Sequence, residues 1–240
     1  MKSDFLSIAY HEMGTKLALI REGIAIVLGK MAGPINKKQQ NFLNIAERNV
    51  DKLTKLINNV YTFQELASGK IKFDMRENDI SEIVKEVQRT TAPLAEKKEL
   101  DFVVRLDDGL PGAVFDSSLI ARVITNITGN AIKFTEKGSI EIAAGHKNGS
   151  IHVSIQDTGC GVRKEALPLL FREFENIGKG SAAKTSTTGL ELAISRKIIE
   201  AHGGKILAES EFGKGTTIKF TLPVEPRGLK SAGLHGSPVS

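Results

Sequence analysis

Residues 116–135 read DSSLIARVITNITGNAIKFT, and this stretch decides the fold. Asp116 is a helix N-cap residue, and the apolar positions Ile120, Val123, Ile124, Ile127 and Ala131 recur with the spacing of one helical face. Asn126, Asn130 and Lys133 stand at i, i+4 and i+7, so they share another face. Two amides and an ammonium on one helical face are a poor core stripe. They suit a site for phosphate and Mg²⁺, because Mg²⁺ takes few protein oxygens and completes its shell from phosphates and water. The spacing predicts a helix to Phe134 whose apolar stripe packs on a sheet.

The sheet is legible on both sides of that helix. IKFDM (71–75), LDFVVRL (100–106) and GAVF (112–115) read as strands, with an amphipathic helix over Ile80–Leu94. GSIEIAAGHK and SIHVSIQD alternate apolar and polar residues and form a hairpin around 147–149. A short helix is expected near 164–171, a longer one over Leu190–His202 stopped by Gly203-Gly204, and KILAES and TTIKFTLP close the sheet. Mixed strands and helices with long hairpins predict an α+β sandwich, helices on one face of a mostly antiparallel sheet.

Two further segments bear on chemistry. Asp157-Thr158-Gly159-Cys160-Gly161 follows a strand, placing a carboxylate acceptor at its end, with glycines that let backbone come close to a ligand. Such a carboxylate can accept from an exocyclic amine such as adenine N6, although the same pattern occurs in ordinary turns. GKGSAAKTSTTG (178–189) has no apolar pattern and reads as a mobile loop. It runs into Thr187-Thr188-Gly189-Leu190, which opens a helix whose free N–H groups can hold an anion.

The N-terminal part has a different character. Leu6, Ala9, Met13, Leu17, Ile20, Ile24, Val27 and Met31 step by three and four residues, a sustained coiled-coil-like stripe ended by Gly33-Pro34. Asn36 caps a second helix with a similar stripe, interrupted at Asn49 and ended by Ser68-Gly69. The pair forms an antiparallel hairpin that cannot cover both of its apolar faces, so a second copy and a four-helix bundle are expected. His11 points away from the first stripe and has Glu12 beside it. By spacing alone it is a solvated surface histidine, or a nucleophile with a base at hand.

The 240 residues allow one or two domains. At 40% hydrophobic and 25% charged, the composition is that of a globular chain, not a disordered one. The net charge of +5 raises nucleic acid as a partner, but it is spread as +3 over 1–69 and +1 over 70–222 with acids interleaved. Only 5% of the residues are aromatic and Trp is absent, so nucleic-acid binding is not expected. Cys160, the only cysteine, excludes an intramolecular disulfide and a cysteine zinc site. No membrane span or signal peptide is read, and a cytoplasmic location is expected, within a soluble protein or the cytoplasmic part of a longer membrane-bound sensor.

Taken together, residues 3–222 resemble the catalytic core of a sensor histidine kinase. FLSIAYHEMGTKLALI resembles the H box, residues 116–135 the N box, DTGCG the G1 box, LFREF (170–174) the F box and TTGLELAI (187–194) the G2 box. The resemblance implies a dimerisation and histidine phosphotransfer domain over 1–69, a Bergerat-type ATP-binding domain over 70–223 and a disordered tail over 224–240. It implies an autokinase using ATP and Mg²⁺, in which His11 takes the γ-phosphate with Glu12 as base or orienter. Asn126 and Asn130 would hold Mg²⁺ and phosphates, Lys133 phosphate, and Asp157 the adenine amine. Phe134, Gly159, Gly161, Thr188, Gly189 and Leu190 would line the nucleotide, under a lid over 172–188. The partners implied are a second copy and the receiver domain of a response regulator, which Thr15 would help to dephosphorylate.

The chain departs from the family pattern in three places. Gly14, Thr15 and Lys16 replace the usual Arg-Thr-Pro. Thr187 and Glu191 replace glycines of the G2 box, and Arg122 stands where glutamine is common. A carboxylate about 5 Å from a phosphate charge costs roughly 3 kcal/mol at an effective dielectric of about 20, unless Glu191 turns to solvent. The alternative is therefore a degenerate kinase acting as regulator phosphatase or dimeric interaction module. A gyrase-, chaperone- or mismatch-repair-type ATPase would lack the N-terminal hairpin.

Overall fold

The computed structural model describes residues 2–173, 175 and 189–225, except the side chains of 2–8 and 11. The chain divides into two compact units, Met1–Ile71 and Lys72–Ser240.

The first unit is the helical hairpin, α1 (Lys2–Leu28) and α2 (Lys37–Ala67). The helices are antiparallel, since Tyr10 near the start of α1 meets Tyr61 near the end of α2 edge-on, at 5.8 Å between ring centroids. Asn36 caps α2 in a reciprocal capping box with Gln39, and Gly69 takes a positive φ of 66° after the C-cap Ser68. The expected stop at Gly33-Pro34 comes earlier. α1 ends at Leu28 and the chain turns through Lys30 at φ 60°, so Met31 leaves the stripe and is exposed. Leu17, Ile24 and Ile57 are buried within the hairpin, whereas Met13, Ile20, Phe42, Ile45, Leu53 and Leu56 are exposed. The hairpin thus covers one apolar face and leaves another open.

The second unit carries a sheet in the order β2 (Asp101–Leu106), β4 (Ser139–Lys147), β5 (Ser150–Asp157), β7 (Gly215–Pro223), β6 (Ile206–Glu211). Only the β2–β4 pair is parallel. Ile140, Ile142, Ile151, Val153, Ile155, Ile218, Phe220 and Leu222 alternate onto one buried face. On it lie α3 (Ile80–Glu96), α4 (Ser117–Phe134) and α5 (Glu191–Ala201), whose buried residues include Val84, Ile120, Ile124, Ile127, Ile194 and Ile198. β4 and β5 join through a tight turn with Asn148 and Gly149 both at positive φ.

Two expected elements move. Residues 71–75 carry no strand; β1 is Arg76–Asn78, because its antiparallel partner β3 (Ala113–Phe115) extends only that far, pairing Arg76 with Phe115. Around Pro168 only a 3₁₀ turn, Leu167–Leu169, forms. Proline supplies no N–H to continue a helix. Of the segment expected as a tail, Val224 donates to Gly149 O and accepts from Val114 N, and residues 226–240 lie outside the described residues.

Candidate functional site

The Asp116 carboxylate starts α4 by accepting from Leu119 N (3.0 Å) and Ser118 Oγ (2.7 Å). Its second oxygen accepts from Asp74 N at 3.0 Å, which ties residues 72–75 to the same point. Burial pushes this carboxyl up, and hydrogen bonds from Ser118 and from the Asp74 and Leu119 amides outweigh it and hold it below 3.8. Asp116 N donates to Nε2 of His202 at 3.1 Å, and the His202 Nδ1–H donates to Ile198 O at 2.7 Å, so the beginning of α4 and the end of α5 are pinned by one neutral imidazole. Burial drives the His202 pKa below its ordinary 6.5, against the pull of the Ile198 carbonyl and Asp116.

At its other end α4 is held by Lys98. The ammonium donates to the carbonyls of Ile132 (2.7 Å), Lys133 (3.0 Å) and Thr135 (3.0 Å), a cation placed on the negative end of the helix. Lys98 lies in a charged EKKE run with no periodic signal. Only the tertiary approach of the α3 C-terminus to α4 gives it this role.

Between these two anchors, Asn126, Asn130, Lys133 and Phe134 are half-buried. The Asn126 Nδ2 is fully buried without a hydrogen-bond partner among the described residues. An orphaned donor of this kind costs about 1–3 kcal/mol. The Lys133 ammonium lies 5.1 Å from the centroid of the Phe134 ring.

The turn after β5 packs against the end of α4. Cys160 N donates to Phe134 O at 3.3 Å. The Asp157 Oδ1 accepts from Gly159 N (2.9 Å) and Thr216 N (3.2 Å). Burial raises the Asp157 carboxyl above 3.8 even against those two bonds. The glycines have a reason beyond ligand approach. A Cβ on Gly159 would stand 2.5 Å from Phe134 O and 2.9 Å from Asp157 Oδ1, and one on Gly161, at φ 64°, would stand 2.1 Å from Glu211 O. The protein's own backbone needs the space. Cys160 is exposed in this turn.

Gly189, at φ 66°, and Leu190 lead into α5. Leu190 is fully buried, so what it offers a ligand is backbone. Glu191 does not turn to solvent: it is 9% exposed. Burial lowers the pKa of the Arg122 guanidinium of α4, and the Glu191 charge opposes that lowering. Thr187, Thr188 and most of the expected lid (172–188) lie outside the described residues.

The Cys160 N–Phe134 O bond ties the turn of Asp157, Gly159 and Gly161 to the end of α4 that carries Lys133 and Phe134, Asn126 and Asn130 lie on the same helix, and Gly189 and Leu190 lead into α5, which packs on α4. The hairpin residues belong to the other unit. There Glu12 and Thr15 are exposed, Glu12 lies 4.0 Å from Lys16 in a solvated pair, and the His11 side chain is outside the description. Among the described residues no cluster of three His, Cys, Asp or Glu could hold a metal ion. The unpartnered Asn126 Nδ2 is a donor that suits a phosphate oxygen, whereas Mg²⁺ would need the amide oxygens of Asn126 and Asn130. No helix among the described residues is long and apolar enough to cross a membrane.

Residues 115–226 match the family described as "Histidine kinase-, DNA gyrase B-, and HSP90-like ATPase". Hybrid signal transduction histidine kinase L of Dictyostelium discoideum is 30% identical over 90% of this chain, and the chain spans 13% of that relative. The crystal structure of full-length ShkA in complex with AMPPNP is 26% identical, with a TM-score of 0.77 over 92% of this chain and 45% of that one. The catalytic domain of the histidine kinase ThkA is 30% identical, with a TM-score of 0.57 over 65% of this chain and all of that domain.

Proposed function

The chain belongs to the sensor histidine kinases, as a core with their Bergerat-type catalytic ATPase fold, and from that premise we propose that it is an ATP-dependent histidine autokinase of a two-component system. The observation that carries the proposal is the half-buried face Asn126–Asn130–Lys133 of α4, held between Lys98 and Asp116, with the turn that carries Asp157 bonded to the end of the same helix through Cys160 N and Phe134 O.

Residues 70–223 are the catalytic ATP-binding domain in this reading. Asp157 accepts from the adenine amine, and its destabilised carboxylate gains a donor when the nucleotide binds. Asn126 and Asn130 hold the phosphates and Mg²⁺, which neutralises charge on the transferred group. Lys133 draws the phosphates by charge, Phe134, Gly159 and Gly161 line the base, and the N–H groups of Thr188, Gly189 and Leu190 face the phosphate tail. Residues 1–69 are the dimerisation and phosphotransfer domain. The His11 imidazole is the phospho-acceptor, with Glu12 accepting or orienting its proton, so that the nitrogen lone pair attacks phosphorus as the bond to ADP breaks. The phosphoryl group then passes to an aspartate of a response regulator, and Thr15 orients the water that hydrolyses that aspartyl phosphate, releasing inorganic phosphate and the free carboxylate.

Equilibrium binding of Mg-ATP tests the site. The wild-type chain binds. Asp157→Asn loses an acceptor that recognises adenine and weakens binding by about a hundredfold, as expected when a buried polar partner is left unmatched. No binding by wild type at millimolar Mg-ATP, or undiminished binding by Asp157→Asn, contradicts the reading.

A further inference from the structure

The turn that carries Asp157 is fastened on its far side by one hydroxyl. β7 lies between β5 and β6 in the sheet, and its residue Thr216 stands opposite Asp157 of β5 and Ser210 of β6. The three residues form one row across the end of the sheet. The chain leaves β5 at Asp157, and by Val162 it has reached β6, where Val162 N donates to Ser210 Oγ at 2.8 Å. Gly213 N, in the turn between β6 and β7, donates to Cys160 O at 2.8 Å.

Every bonding position of the Ser210 hydroxyl is used. A serine hydroxyl has one proton to donate and two lone pairs with which to accept. Gly215 O, 2.7 Å away, can only accept, so it takes the Ser210 proton. One lone pair takes Val162 N–H, and the other takes the Thr216 hydroxyl at 2.9 Å, which must then be the donor. The same Thr216 donates its backbone N–H to Asp157 Oδ1 at 3.2 Å, alongside Gly159 N at 2.9 Å. Among the described residues, hydrogen bonds to this carboxylate reach Oδ1 alone, which leaves Oδ2 for a ligand.

We propose that Ser210 is a positioning residue for adenine recognition: its hydroxyl locks the start of β7 to the turn after β5 and so sets the direction in which Asp157 offers Oδ2. Ser210 itself touches no nucleotide. It acts through Thr216, whose N–H fixes one carboxylate oxygen, and through Val162 N, which fixes the end of the turn. Without the hydroxyl, three half-buried polar groups lose a partner, and the carboxylate is free to turn away from the amine. Asn126, Asn130 and Lys133 stand on α4, to which Ser210 gives no hydrogen bond, so a change at Ser210 reads out on the base and not on the phosphates.

The inference rests on the nucleotide-binding reading, and two ligands separate them: ATP, and purine riboside triphosphate, which lacks only the 6-amino group. Affinities of the full chain for both, with Mg²⁺, are measured in wild type, Ser210→Ala, Ser210→Thr and Ser210→Cys. Wild type prefers ATP by about a hundredfold. Ser210→Ala weakens ATP about tenfold and purine riboside triphosphate by less than about twofold, because only the amine depends on the aim of Asp157. A general loss of structure would weaken both ligands alike. Ser210→Thr keeps the hydroxyl and stays within about threefold of wild type for ATP. Ser210→Cys, close to serine in shape but a poor hydrogen-bonding group, repeats the alanine result and supplies the test if Ser210→Ala does not fold. Unchanged ATP affinity in Ser210→Ala, equal losses for the two ligands, or a loss in Ser210→Thr as large as in Ser210→Ala overturns the positioning role. Wild type that binds neither ligand overturns the nucleotide-binding reading, and wild type that binds both equally overturns the role of Asp157; either takes the positioning role with it.

Discussion

His202 shows how much of the domain rests on single side chains. Its imidazole accepts from Asp116 N and donates to Ile198 O, roles that only the neutral Nδ1–H tautomer can fill together. Phe73 meets the same ring edge-on at 5.4 Å, so residues 72–75, α4 and α5 share one joint. Because burial lowers the folded pKa below 6.5, the unfolded chain takes up a proton first as pH falls. The His202 contribution is whole above pH 6.5 and is lost as pH drops from there toward the folded pKa. Urea unfolding of wild type should show falling stability below pH 6.5, and His202→Gln should be less stable at pH 8 but flatter over that interval. Equal slopes would assign the pH dependence elsewhere. Asp157 works in the opposite sense. Its folded pKa is raised, so at neutral pH its charge costs stability, a cost accepted at a site that binds. Asp157→Asn should therefore unfold at no lower temperature than wild type by calorimetry, while losing nucleotide.

At the scale of elements, α4 was the most legible part of the sequence. Its N-cap, its apolar stripe and its polar face are local patterns, and the helix appears at Ser117–Phe134 with Asp116 capping it. The Asn36 cap and the turn at Asn148-Gly149 were legible for the same reason. What the sequence concealed depends on partners far along the chain. The β1 strand is set by the reach of β3, which IKFDM does not encode. The three carbonyls that Lys98 collects are assembled by the packing of α3 on α4, and the burial of Glu191 is a tertiary feature with no local signal. Lys98→Met should lower unfolding free energy by about 1 kcal/mol, discounted for an exposed ammonium, and loosen amide-exchange protection in the last turn of α4. Protection unchanged there would show that Thr135 alone ends the helix.

At the scale of the whole molecule, the two units are legible as two sequence regimes, a helical period of three and four and then alternating strands. The open apolar face of the hairpin follows from the first regime. Leu19, Ile20, Ile26, Phe42 and Leu53 are exposed. A four-helix bundle with a second copy, the arrangement expected from the stripe, would bury that face. Ile20→Lys places a charge in that seam, and sedimentation should show it shifting the chain from dimer to monomer at micromolar concentration. A wild-type chain that sediments as a monomer would remove the bundle.

The account as a whole depends on His11 receiving phosphate from the nucleotide held on α4. Incubation with γ-labelled ATP and Mg²⁺, followed by acid and alkali treatment, reads this directly in wild type, His11→Gln and Asn130→Asp. The account predicts an acid-labile, alkali-stable label in wild type, none in His11→Gln and strongly reduced labelling in Asn130→Asp. Full labelling of His11→Gln, or an unlabelled wild type at millimolar Mg-ATP, would contradict it.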